Sequence, residues 1–90
     1  MRERYLEITY RRGRPVAAYL YLPRGENEKS QRVIQESHGL LVDIAEGGRP
    51  IGIEIVTPNI VSPAVLDEVL AKYSLPLLEQ GELTPLVAVP

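Results

Sequence analysis

The stretch Gly39 to Val56, GLLVDIAEGGRPIGIEIV, constrains the fold more than any other part of the chain. Two runs alternate apolar and polar residues on either side of Gly47-Gly48, and a period of two is the pattern of a strand with one buried face. Glycine suits a two-residue hairpin turn, because such turns need positive φ. With Gly47 and Gly48 at the turn, Ile44 faces Ile51, Val42 faces Ile53 and Leu40 faces Ile55. A slip of one residue would set Asp43 against Ile53 and Glu54 against Val42, so the pattern rejects it. A slip of two keeps the faces and lengthens the loop. Pro50 favours an edge or loop position beside the turn.

The rest of the chain extends this hairpin into a sheet. Leu6, Ile8 and Tyr10 alternate with Glu7 and Thr9 in one strand, and the RRGRP that follows is a turn. In residues 16–22, Val16, Ala18, Leu20 and Leu22 share one face while Ala17, Tyr19 and Tyr21 share the other, so both faces of this strand are expected to be covered. Residues 23–30, PRGENEKS, read as a mobile loop. QRVIQE is a short strand closed by the turn SHG.

After residue 57 the period changes. Ser62 can cap a helix, Pro63 suits its first position, and Asp67 and Glu68 fall near the positive end of its dipole. Val65, Leu66, Val69, Leu70 and Tyr73 recur at helical spacing and form the stripe that lies on the sheet. Pro76 and Pro85 break the chain beyond it, leaving Leu83, Leu86, Val87 and Val89 in an apolar tail that either adds a strand or reaches a neighbouring subunit. The expected architecture is α+β: a single domain, residues 1–90, with a β-rich core over 1–57 and a helix and extension over 58–90. The core is an antiparallel sheet of about five strands built from hairpins, and one C-terminal amphipathic helix covers it.

A chain of 90 residues buries only about 60% of the surface its unfolded form exposes. It has no Cys, Trp or Phe, hence no disulfide and no Cys/His spacing for zinc. Self-association is the readiest remaining source of stability, and a homo-oligomer, most simply a two-fold dimer, is expected. Residues 1–24 carry six Arg against two Glu, whereas residues 25–90 carry four Lys or Arg against ten acids. Such asymmetry suits a nucleic-acid surface on the basic part, subunits that dock basic end to acidic end, or two differently decorated solvated faces. The N-terminal residues lack a signal-peptide apolar region and no run is long enough to span a membrane, so a soluble, cytoplasmic protein is expected.

Three constellations could carry chemistry. Asp43 and Glu54 share the polar face of the hairpin around Gly52; paired carboxylates can hold a divalent cation or share a proton, but a metal site wants further ligands. The plainer reading is a solvated or Arg-paired face on which Gly52 lets another backbone or a bulky side chain such as Tyr19 approach. Arg11, Arg12 and Arg14 cluster at one turn of strands that carry Tyr19 and Tyr21, a combination that can hold single-stranded nucleic acid, although the acidic balance opposes it. Ser37 and His38 are turn residues, without the strand-to-helix elbow of a nucleophile. Gly47-Gly48 does not open a helix, so no phosphate-binding loop and no nucleotide cofactor are expected.

The run Gly39-Leu40-Leu41-Val42-Asp43 followed by Gly48-Arg49-Pro50-Ile51-Gly52-Ile53-Glu54-Ile55 resembles the small proteins of the domain of unknown function 2283 family. Tyr10 resembles that family's leading tyrosine, and AAYLYL, with Tyr19, resembles its second strand. The likeness covers residues 5 to about 57. Arg14 or Pro15 stands where relatives carry an acid, the RRGRP turn is longer by about one residue, and residues 58–90 extend beyond the usual length. The resemblance implies a compact β-rich fold with no established activity, and an antitoxin-like partner role is suspected for some relatives. The functional expectation is therefore a non-catalytic interaction or self-assembling module. The alternatives are a small metal-binding or acid–base protein using Asp43 and Glu54, and nucleic-acid binding through Arg11, Arg12 and Arg14.

Overall fold

A computed structural model describes residues 3–25, 27–58 and 61–87. Five strands, β1 (Tyr5–Arg11), β2 (Arg14–Tyr21), β3 (Ser30–Gln35), β4 (Leu40–Ala45) and β5 (Pro50–Ile55), form one antiparallel sheet in the order β1-β2-β5-β4-β3. Helix α1 (Pro63–Lys72) and a short helix α2 (Thr84–Val87) follow. β1–β2, β3–β4 and β4–β5 are sequence neighbours, while β2–β5 is the long-range pairing that joins the first hairpin to the rest. Among the described residues no helix is long and apolar enough to cross a membrane.

The alternation read from the sequence sets the faces. Leu20 lies opposite Ile53, which lies opposite Val42; Ala18 lies opposite Ile55, which lies opposite Leu40. All six are buried, and they pack with Leu66, Val69 and Leu70 of α1 into one core. Each fully buried Leu or Ile contributes about 1.5–3 kcal/mol relative to an exposed one. Ser62 caps α1, its hydroxyl accepting the Val65 amide at 3.2 Å, and Pro63 takes the first turn.

The turn at Gly47-Gly48 departs from the two-residue form. Ala45 receives the Gly48 amide at 3.0 Å and gives its own amide to Arg49 at 2.9 Å, so the loop is residues 46–48. Gly47 and Gly48 have φ of +94° and +92°, which accounts for glycine at both. The added loop residue shifts the register between Asp43 and Ile44: Ile44 pairs with Pro50 rather than Ile51, and the alignment of Val42 with Ile53 and Leu40 with Ile55 is kept. Pro50 thus sits at the first residue of its strand, where a missing donor costs least.

Other expectations are corrected by packing. β2 is covered on one face only; Ala17, Tyr19 and Tyr21 on the other are half-buried, and no helix lies over them among the described residues. Asp67 does not serve the helix dipole, since no acid falls in the first turn; its Oδ1 accepts the Leu78 amide at 2.8 Å and draws the following segment onto α1. The segment after Pro76 adds no strand up to Val87. Leu83 joins the core instead, while the side chains of Leu86 and Val87, and all of Val89, lie outside the described residues. The loop after β2 is tied at Glu28, whose carboxylate pairs with Arg49 and accepts the Gly25 amide at 2.7 Å.

Two polar clusters fasten the second half of the chain to the sheet. Lys72 lies 2.9 Å from Oε1 of Glu36 and the Tyr73 hydroxyl donates to Oε2 at 2.6 Å, latching the end of α1 to the end of β3. Arg4, ahead of β1, donates to Glu82 at 2.5 and 3.0 Å, to the Pro76 carbonyl at 2.5 Å and to the Leu77 carbonyl at 2.6 Å.

Candidate functional site

The face of the sheet turned away from α1 is built by the polar phase of the same alternation. Its middle row runs Glu7 on β1, Tyr19 on β2, Glu54 on β5 and Leu41 on β4, each opposite the next. The adjoining row runs Tyr5, Tyr21, Gly52, Asp43 and Val33. Tyr5 and Val33 are each at least half exposed, and Glu7 and Glu54 are exposed.

Tyr19 leans out of its row and crosses Gly52 on the intervening strand. Its hydroxyl donates to Oδ2 of Asp43 at 2.5 Å. A Cβ built on Gly52 would stand within 2.5 Å of three atoms of the Tyr19 phenol, so position 52 is glycine because the ring occupies that space. The other Asp43 oxygen accepts the Ser30 hydroxyl at 3.1 Å from β3. Burial raises the Tyr19 pKa, and the hydrogen bond to the Asp43 carboxylate together with its charge raises it further.

Two further tyrosines of this face form a stripe beside this contact. Tyr5 and Tyr21 stack with ring centroids 4.6 Å apart and planes at 17°, and Tyr19 meets Tyr21 edge-on at 4.6 Å and 65°. The guanidinium of Arg24 lies 5.8 Å from the centre of the Tyr21 ring. The Tyr21 hydroxyl donates to Glu7 at 3.4 Å, and desolvation followed by the Glu7 charge raises the Tyr21 pKa.

The sequence candidates are distributed unequally over this surface. Asp43 and Gly52 are directly opposite and are joined through Tyr19, whereas Glu54 lies across from Tyr19 and Leu41 and takes no part in the Asp43 hydrogen bonds. Among the described residues no group of three or more His, Cys, Asp or Glu side chains gathers as metal ligands. With both oxygens engaged by hydroxyl donors, Asp43 acts as an acceptor that orients Tyr19 and Ser30.

Arg11, Arg12 and Arg14 are exposed at the tip of the β1–β2 hairpin. Tyr19 is five residues along β2 from Arg14, about 17 Å away at strand rise, so the structure separates the arginine turn from Tyr19 and Tyr21. Ser37 and His38 lie exposed in a tight 3-10 turn in which His38 has φ of +60°. Ser30 and Glu7 were missed by sequence reasoning. Glu7 stands in plain alternation on β1, but Ser30 reaches Asp43 only through a register irregularity in the β3–β4 pair that no spacing announces.

No curated protein and no solved structure matches the chain. The residues from Ala17, within β2, to just past β5 do match a known family, and the hairpin carrying Asp43, Gly52 and Glu54 lies inside the matched segment. Residues 17–57 match the model of the family described as "Protein of unknown function (DUF2283)".

Proposed function

We propose that the protein is a non-catalytic interaction module that self-associates, most simply as a two-fold dimer, through the open face of its sheet. The observation that carries this reading is the surface itself: a five-stranded sheet with α1 on one side and, on the other, Tyr5, Tyr19, Tyr21, Leu41 and Val33 with no covering layer among the described residues. Aromatic side chains on a flat, rigid support are favoured contact residues, since they bury large area and lose little conformational freedom. The hydrogen bonds of Asp43 support a structural role for that carboxylate over acid–base or metal chemistry with Glu54.

Sedimentation velocity over a micromolar concentration series tests the reading. The wild-type protein is expected to shift from monomer to dimer, and Val33→Lys, at a position 55% exposed and so tolerant of change in the fold, is expected to weaken the dimer. A wild-type protein that sediments as a monomer throughout overturns it.

A further inference from the structure

The β1–β2 hairpin projects beyond the sheet. β2 pairs with β5 only from Ala18 to Tyr21, while its pairing with β1 continues to Arg14 opposite Arg11. From Thr9 to Ala17 the hairpin is therefore a two-stranded arm, about 13 Å long from Ala18 to Arg14. It carries Arg11, Arg12 and Arg14 and no acid. Tyr10 at 50% and Val16 at 45% exposure add apolar surface, and none of the three arginines makes an ion pair among the described residues. An isolated two-stranded ribbon is marginally stable in water, and this one gains by lying on something.

The open face has the complementary chemistry. Tyr19 has Glu7 as its direct partner on one side and Glu54 on the other, and the Tyr5–Tyr21 stack lies next to them. Guanidinium groups bind carboxylates through a planar fork and pack on aromatic rings, so two exposed glutamates in one row beside the Tyr19 and Tyr21 rings form an arginine-binding surface. The same acids disfavour a nucleic-acid backbone.

Area and symmetry select the occupant. Five strands of six to eight residues give a face of roughly 500 Å², short of the ~800 Å² per partner of a standard interface, so a flat sheet-to-sheet contact needs a further element. A two-fold axis lying across the strands reverses their direction and carries each arm toward the Tyr5–Tyr21 end of the other copy. The contact is then reciprocal and closes as a dimer.

Resting on the reading of the open face as a self-association surface, we propose that the arginine-tipped arm, Thr9 to Ala17, of each copy docks on the Glu7–Tyr19–Glu54 surface of a second copy. Attraction between these charges strengthens the dimer at low salt and weakens it as salt rises.

The test uses two charge-reversed proteins. One carries Arg11→Glu, Arg12→Glu and Arg14→Glu, and the other Glu7→Lys and Glu54→Lys; all five positions are exposed, and far-UV circular dichroism checks that both variants fold. Each alone is expected to dimerise at least about tenfold more weakly than wild type, because arm and face then repel. Mixed together, each arm meets a face of opposite sign, and sedimentation is expected to recover the heterodimer. A wild-type dimer that neither responds to salt nor loses affinity on either charge reversal overturns the docking of the arm while leaving self-association standing. Failure of the mixture to recover a dimer overturns it equally, whereas a monomeric wild type overturns both proposals.

Discussion

Tyr19 fills the volume that a side chain at position 52 would occupy, and its hydroxyl reaches past that position to Asp43. Gly52→Ala is expected to displace the ring and cost about 1–3 kcal/mol through the lost hydrogen bond and crowding. In a Tyr19→Ala background the same substitution meets no ring, and alanine is expected to stabilise the strand by about 0.5–1 kcal/mol relative to glycine. Denaturant melts of the four proteins check the reversal of sign, and additive effects would show that the two residues do not share this space.

Glu36 and Glu82 respond to acid in the same direction. Hydrogen bonds from Tyr73 and then Lys72 lower the Glu36 pKa below its ordinary 4.5. Burial would raise that of Glu82, but Arg4 and the Glu79 amide together hold it lower. A carboxylate whose pKa is depressed by folding contributes stability that is complete above its unfolded value and disappears as pH falls through the folded one. Stability is expected to drop as pH falls below about 4.5. Glu36→Gln and Glu82→Gln should each flatten that acid limb, as read from chemical denaturation against pH.

Tyrosine ionisation reports the two halves of the molecule separately. Burial and the bond to Glu36 push the Tyr73 pKa up to about 12, and Tyr19 is raised by burial and Asp43. In an ultraviolet pH titration Tyr73→Phe should remove a step near 12, while Tyr19→Phe should leave that step in place. Because folding raises both pKa values, the stability they contribute is complete below the ordinary tyrosine value of 10.0 and is lost as pH climbs through the folded values.

Arg4 uses geometry as well as charge, since its fork spans one carboxylate and two backbone carbonyls. Arg4→Met is expected to destabilise by about 2–3 kcal/mol, because Glu82 and the two carbonyls lose their partner together. Lysine restores the charge without the fork and should recover less than half of that loss. Thermal melts of the three proteins check this.

The legible parts of this fold are those set by period. That Leu40, Val42, Ile53 and Ile55 share a buried face follows from alternation, and their pairing follows once the turn is placed at Gly47-Gly48; glycine at 52 marks a close approach, which the Tyr19 ring makes. The loop length at Gly47-Gly48 does not follow, because glycine serves two-residue and three-residue turns alike. The polar latches were hidden for a different reason: Arg4 and Glu82 are 78 residues apart, and a contact at that separation leaves no periodic trace. Sequence proximity also misled, since the arginine turn and the tyrosines share β2 yet lie at different points along it.

The turn at the tip of the arm has one residue that its backbone does not favour. Arg12 and Gly13 adopt φ of +52° and +77°, a conformation that asparagine or glycine enters readily and arginine at a cost of about 1 kcal/mol. Arg12→Asn is therefore expected to raise the melting temperature of the monomer while weakening the proposed dimer, two measurements moving in opposite directions from one exchange. The arm is then a place where this domain holds conformational strain beside a displayed charge, and a stabilising screen that scored melting alone would select against the proposed assembly.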